Sequence, residues 1–283
     1  MGIPIKDIRN FAIAGHNGTG KTALFDQLLF YGDEISKPEL TETGRTTSDY
    51  TEEEIARKIS VHAALGNIKW MDRSFSFVDT PGTADFVGEV TGGFRSCEST
   101  LLVVDAREGA QIETIKLWRD LNRRNKPRAV FLNKMDKDRV DYRKTFEALR
   151  EEFKVSFVPI TIPMGEGPSF KGVINLIEAQ AYTGAAAGKK ETAGAIPSEF
   201  NNAVSTYTEI LMESAAVGAD DLLEKYLEEF SLSADEIRRG IREGLANNTV
   251  VPVFCGCSST GAGFTSLLNF IANNFPTPAI IVR

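Results

Sequence analysis

Two rhythms of apolar and polar positions run through this chain. Unbroken apolar stretches at 10–14, 101–105, 128–132, 156–160 and 250–255 predict buried strands. The stretch 101–105 has no polar break before Asp105, as expected for a strand covered on both faces in a parallel sheet. Helical spacing recurs between these stretches. Leu24, Leu28 and Tyr31 share one face of a helix over 23–31, Ile112, Ile115 and Trp118 one over 111–122, and Phe146, Leu149 and Phe153 one over 141–153. Further helices are predicted over 85–96, loosened by Gly92-Gly93, and over 264–274. Residues 59–65 and 73–79 predict two strands with a turn near 70–72. Between 32 and 58 there is no sustained period, and a connection of that length inside a compact domain is functional or disordered.

Strands alternating with helices give an α/β fold: a mostly parallel central sheet with helices on both faces. The rhythm breaks after 160. One or two strands are expected in 170–182, an exposed Gly/Ala-rich loop in 183–195, and three helices from 197 to about 247, the last opened by the capping box Ser233-Ala234-Asp235-Glu236. We therefore expect a discontinuous nucleotide-binding domain, 1–160 with 248–283, around a small α+β inserted subdomain at 161–247.

The chemistry sits where strands end. Gly15-His16-Asn17-Gly18-Thr19-Gly20-Lys21-Thr22 follows the first strand and leads through Ala23 into the first helix. Strand, glycine-rich loop and helix are the context of a phosphate loop, so the fold expected is that of P-loop NTPases. Its backbone N–H groups can point at phosphate oxygens, with the helix N-terminus adding its positive dipole end. Lys21 would reach the outer phosphates, and the Thr22 hydroxyl would ligate Mg²⁺. Asp79-Thr80-Pro81-Gly82 ends the strand at 73–79. Asp79 there can hold Mg²⁺ through water, and the Gly82 N–H can face the γ-phosphate. Asn133-Lys134-Met135-Asp136 follows the strand at 128–132. The Asp136 carboxylate can accept from N1–H and the 2-amino group of guanine, whereas adenine would leave it facing a lone pair. Lys134 would lie along the base and Asn133 would brace the loop. Each of the two tetrapeptides alone could be an ordinary turn or surface loop; following the phosphate loop in this order, at strand ends, they form with it a guanine-nucleotide constellation.

Composition narrows the picture. A net charge of −7 argues against a broad nucleic-acid face. Three cysteines (Cys97, Cys255, Cys257) and two histidines make neither a disulfide framework nor a tetrahedral metal set, which points to a reducing, cytoplasmic setting. No stretch approaches a membrane span. The basic cluster Arg119, Arg123, Arg124, Lys126 and Arg128 reads as a solvated helix end, with a ribosomal contact as the alternative. Glu224, Glu228 and Glu229 make the insert acidic, which is read as solvation.

With its three motifs in order, the chain is identified as a GTPase, and its details resemble the GTP-binding domain of elongation factor G among the translational GTPases. Asp79-Thr80-Pro81-Gly82-Thr83-Ala84-Asp85-Phe86 is similar to that family's Asp-Thr-Pro-Gly-His-Val-Asp-Phe. Phe254-Cys255-Gly256-Cys257-Ser258 resembles its Gly-Ser-Ala guanine loop, where N–H groups near Cys257 and Ser258 would hold the guanine oxygen. The insert resembles the extra subdomain of elongation factor G. The resemblance spans all 283 residues and implies GTP/GDP and Mg²⁺ as ligands and the ribosome as partner. It also implies a monomer with further domains after Pro276-Thr277-Pro278, and GTP hydrolysis coupled to a translocation-type step. Three positions depart from the family. Ser60 stands for the threonine that ligates Mg²⁺, with Thr46 and Thr47 as competitors; Gly18 stands for an aspartate; and Thr83 stands for the histidine that positions the attacking water. Lys21, Gly82 and Thr83 are thus the expected catalytic positions. Thr83 predicts slow intrinsic hydrolysis, which makes a GTP-dependent ribosome-binding switch, or a protection- or release-type factor, the alternative.

Overall fold

The computed structural model describes residues 2–279; Met1 and 280–283, the ends of the expected nucleotide-binding domain, lie outside the described residues. The first apolar run folds as β1 (Ile8–Ala14) and is followed by α1 (Lys21–Tyr31) and a short α2 (Glu52–Arg57). The hairpin β2 (Ala64–Trp70) and β3 (Arg73–Asp79) leads to α3 (Val87–Ser96), β4 (Ser99–Asp105), α4 (Ile112–Arg123), β5 (Arg128–Asn133), α5 (Tyr142–Phe153) and β6 (Ser156–Pro159). Residues 161–247 add β7 (Thr161–Met164), β8 (Gly172–Asn175), β9 (Gln180–Thr183) and β10 (Thr192–Gly194), then α6 (Asn201–Ala216), α7 (Asp220–Glu229) and α8 (Ala234–Ala246). β11 (Val250–Cys255) and α9 (Phe264–Asn274) return to the main body.

The seven-stranded sheet runs β2-β3-β1-β4-β5-β11-β6, parallel throughout except for the β2–β3 hairpin at its edge. The expected α/β fold is present. Side-chain alternation along the strands divides the core into two layers. From β4, Leu101 and Val103 join Leu24, Leu28, Phe264 and Leu268 on the α1/α9 face. Leu102 and Val104 join Phe94, Trp118, Phe146 and Leu149 beneath α3, α4 and α5. Each such side chain contributes about 1.5–3 kcal/mol by leaving water. Loops at the carboxyl ends of β1, β3, β5 and β11 therefore gather at one rim of a rigid sheet, where open α/β sheets bind ligands.

Four expectations about strands and loops change. The strand expected at 59–65 lies at 64–70 instead, because β3 pairs from Arg73 opposite Trp70 to Asp79 opposite Ala64 and leaves 59–63 beyond the ladder. Segment 32–58 is not irregular throughout: a 3-10 turn forms over Thr41–Thr43, and Thr51 and Glu54 make a capping box for α2. A fourth strand, β7, precedes the expected pair, and the four form an antiparallel sheet ordered β10-β9-β8-β7. The loop 183–195 carries β10, and its Glu191 is buried, accepting from the Gly263 and Thr265 amides at the start of α9 (2.9 and 2.6 Å). A carboxylate there complements the helix dipole.

The three helices of the insert are as expected, and Leu211, Ala215, Ile241 and Leu245 from α6 and α8 share the core layer of Phe254. Arg128 is not a solvated cation: its guanidinium lies 4.1 Å from the Trp118 ring centroid and is 3 % exposed as a residue. All three cysteines are free and buried. Among the described residues no helix is long and apolar enough to cross a membrane.

Candidate functional site

A cleft of about 330 Å³ opens at the rim of the sheet. One end is walled by Asn17, Gly18, Gly20, Lys21, Thr22, Ala23, Ser60 and Gly82, the other by Asn133, Lys134, Asp136, Cys257 and Ser258. The three sequence motifs thus meet at one hollow. Gly15, His16, Thr19, Asp79 and Thr83 are not among its lining residues. Gly15 and Thr19 shape the loop from behind: a Cβ on Gly15 would lie 2.3 Å from the Val103 carbonyl oxygen, and the Thr19 hydroxyl donates to the His16 carbonyl (3.0 Å).

Asn133 is the staple of the base end. Its Nδ2 donates to the Thr19 carbonyl (2.7 Å) and its Oδ1 accepts from the Ser258 amide (2.8 Å). One side chain leaving β5 therefore ties the phosphate loop to the loop after β11. Lys134, in a left-handed conformation (φ 67°), donates to the Gly18 carbonyl (2.5 Å) and pairs with Asp105 (2.9 Å). These bonds stretch the lysine stem along the cleft. Burial would raise the Asp105 carboxyl, but the Arg107 and Lys134 partners outweigh it and hold Asp105 below its ordinary value. Asp136 Oδ2 pairs with Lys137 (2.9 Å), while Oδ1 is buried without a hydrogen-bond partner. A buried carboxylate oxygen of this kind is an acceptor awaiting donors.

At the phosphate end, Gly20 has φ 92° and opens directly into α1; a Cβ there would lie 2.4 Å from Asn133 Nδ2. Gly82 has still less room, its missing Cβ falling 2.4 Å from Lys21 Nζ and 2.8 Å from the Asn17 nitrogen. Gly20 passes Asn133, and Gly82 passes the phosphate loop, this closely only because they are glycine. Lys21 Nζ donates to the His16 carbonyl (3.0 Å). Burial lowers the Lys21 pKa to about 8 against the opposing pull of Asp79 and Asp49. Burial likewise raises Asp79 to about 7, opposed by Lys21. A buried lysine facing a cavity is stabilised by an arriving anion.

Thr22 Oγ1 donates to Asp79 Oδ2 (3.1 Å) and lies 3.0 Å from Ser60 Oγ, which donates to Asp49 Oδ1 (2.7 Å). Of the competing threonines, Thr46 Oγ1 bonds the same Asp49 carboxylate as Ser60 (3.2 Å) and the Thr47 amide bonds Asp26 (3.0 Å); neither residue lines the cleft. Asp79 Oδ1 is buried with no partner. Two hydroxyls beside an unsatisfied carboxylate fit a hard dication with oxygen ligands. Thr83 precedes a 3-10 turn (Ala84–Phe86) without capping it.

Reasoning from motifs missed the residues that hold Ser60 in place. Segment 32–63 crosses the phosphate end as a strap whose amides end on carboxylates. Asp26 accepts from Glu39 and Thr47 (3.1 and 3.0 Å), Glu89 from Ala63 (2.9 Å), and Glu54 from Val61 and His62 (3.0 Å each). Lys58 and Ile59 on this strap also line the cleft. The Thr51-x-x-Glu54 spacing was the one available signal.

The family model of the elongation factor Tu GTP binding domain matches residues 6–277. The chain belongs to that family. It is a GTP-binding domain of the translational GTPase type. The domain is also similar to the crystal structure of ttk003000868 from Thermus thermophilus, at 30% sequence identity and a TM-score of 0.87. That match covers 97% of this chain and 41% of the Thermus chain, so the GTPase domain described here spans about two-fifths of its structural relative.

Proposed function

We propose that this domain hydrolyses GTP to GDP and phosphate with Mg²⁺, and that it acts on the ribosome in a translocation-type step, as an elongation factor G-like protein with further domains. The observation that carries the nucleotide part is the convergence of Lys21, Thr22, Gly82, Asn133, Asp136 and Ser258 on one cleft. The loop amides and Lys21 bind the phosphates, and the Gly82 N–H bonds the terminal one. Thr22, Ser60 and Asp79 would hold Mg²⁺, which would supply positive charge against the phosphates. The free Oδ1 of Asp136 takes guanine donors, while the amides near Cys257 and Ser258 take the guanine oxygen.

The rate is set by whatever orients the attacking water. A threonine at position 83 is too short and cannot become cationic, so the chain's own residues bind and position GTP while supplying little to the water. This favours slow intrinsic turnover. It also supports the second reading, a GTP-dependent ribosome-binding switch of the protection or release type. Single-turnover GTP hydrolysis with and without ribosomes tests both, beside Thr83→His. The first reading expects ribosomes to accelerate hydrolysis at least tenfold and Thr83→His to raise the rate of the isolated domain. GTP-dependent ribosome binding without acceleration would select the switch. Rapid turnover by the isolated wild-type domain would overturn the role given to Thr83.

A further inference from the structure

Glu54 is fully buried, and its two carboxylate oxygens serve different segments. Oε2 accepts from the Thr51 amide (3.1 Å) and the Thr51 hydroxyl (2.8 Å), closing the capping box of α2. Oε1 accepts from the amides of Val61 and His62, 3.0 Å each. The two amides directly after Ser60 are therefore fixed by a side chain on the helix directly before it. Residues 59–63 have no strand partner to hold them. Lys58, the C-cap of α2, is in a left-handed conformation (φ 54°), which turns the chain back toward Glu54. Strain at a non-glycine position persists where surrounding contacts over-determine it.

We infer that Glu54 is a positioning residue for the nucleotide site: it sets the backbone of Val61 and His62 so that the Ser60 hydroxyl stands 3.0 Å from that of Thr22. This deepens the proposed function and rests on it, since Ser60 matters only if the cleft holds Mg²⁺ and GTP. Ser60 lines the cleft together with Gly82, which on the proposed reading meets the terminal phosphate, so its hydroxyl would bear on the triphosphate-bound state, whereas the phosphate loop and Asp136 would grip GDP as well. Glu54 therefore controls the preference for GTP over GDP rather than nucleotide affinity in general. The capping half of the carboxylate is separable, because Thr51 touches only Oε2.

The test is titration of fluorescent GTP (non-hydrolysable) and GDP against the wild type, Glu54→Gln, Glu54→Ala and Thr51→Ala at fixed Mg²⁺, with tryptic cleavage after Arg57 and Lys58 followed in parallel. Glu54→Ala is expected to weaken GTP binding about tenfold, the effect of losing charge-assisted amide bonds, with GDP affinity changed less than about twofold. Cleavage at Arg57 and Lys58 should accelerate. Glu54→Gln keeps an acceptor oxygen and guards against a misfolded alanine variant; it should fall between the two. Thr51→Ala should lower thermal stability while leaving the GTP:GDP ratio at its wild-type value. Equal loss of GTP and GDP affinity in the Glu54 variants, or a Thr51→Ala ratio shifted as far as theirs, would overturn the inference and make Glu54 a helix cap only. Failure of the wild type to bind either nucleotide would instead overturn the underlying reading.

Discussion

At the base end of the cleft, Asn133 and Lys134 leave β5 and bond directly to the carbonyls of Thr19 and Gly18, so that strand ends are stitched to one another. At the phosphate end, Ser60 rides on a strap whose amides rest on the carboxylates of Asp26, Glu54 and Glu89. The first arrangement inherits the rigidity of a buried parallel sheet. The second has few main-chain ladder bonds and depends on single side chains. A region built that way opens at lower free energy than the core. On the proposed reading, recognition of the base falls to the fixed end and response to the terminal phosphate to the releasable one.

The comparison can be broken first at Gly82, where fixed and releasable parts meet. Gly82→Ala drives a methyl group against Lys21 Nζ and the Asn17 backbone. GTP affinity should fall about 100-fold by calorimetric titration, the upper end of an overpacking cost of roughly 1–3 kcal/mol. Next is the staple. Asn133→Ala leaves the Ser258 amide buried without its acceptor, a loss of about 2 kcal/mol or roughly 30-fold in GTP affinity, with a lowered Tm. A smaller effect, confined to the strap, is expected of Asp26→Ala: tryptic cleavage after Arg45 should accelerate severalfold as two amide bonds are lost, while GTP-over-ATP discrimination stays unchanged. If discrimination changed as well, the two ends would not be independent.

The smallest effect is a pH signature. Burial would raise the Glu54 carboxyl, yet the amide donors of His62, Val61 and Thr51 outweigh it and hold it below its ordinary 4.5. A carboxyl depressed in the folded state contributes stability that is complete above its unfolded value and is lost as pH falls through the folded one. The Tm advantage of the wild type over Glu54→Gln should thus be constant above pH 4.5 and close below it. Asp49, which faces Glu54 from the strap, is pushed up by burial and titrates with the opposite sign, so the comparison has to be made against the variant rather than in the wild type alone.

The sheet and the motifs of the base end were legible because each is a local run of sequence, although the bonds that join them are not. Runs such as Leu101-Leu102-Val103-Val104 can only be buried, and a tetrapeptide after such a run is carried to the rim of the sheet. The strap was not legible for the opposite reason. Its bonds join Asp26 to Glu39 and Thr47, and Glu89 to Ala63, across separations with no sequence period. The displaced strand shows the same limit: Ile59, Val61 and Ala63 alternate like a strand, but the β2–β3 register stops at Ala64. Glu191 looked like part of an exposed loop, since nothing in its neighbourhood marks it as the cap of α9.

The central claim is that one cleft, made from three separated motifs, reads guanine through Asp136. The most direct test is to measure the affinities of GTP, ATP and xanthosine triphosphate for the wild type and for Asp136→Asn. An amide at this position can donate where the carboxylate only accepts, which suits the second carbonyl of xanthine. The account predicts ATP bound at least about 1,000-fold more weakly than GTP by the wild type, with the preference passing to the xanthine nucleotide in the variant. Comparable binding of ATP and GTP, or a variant that keeps its GTP affinity, would contradict it.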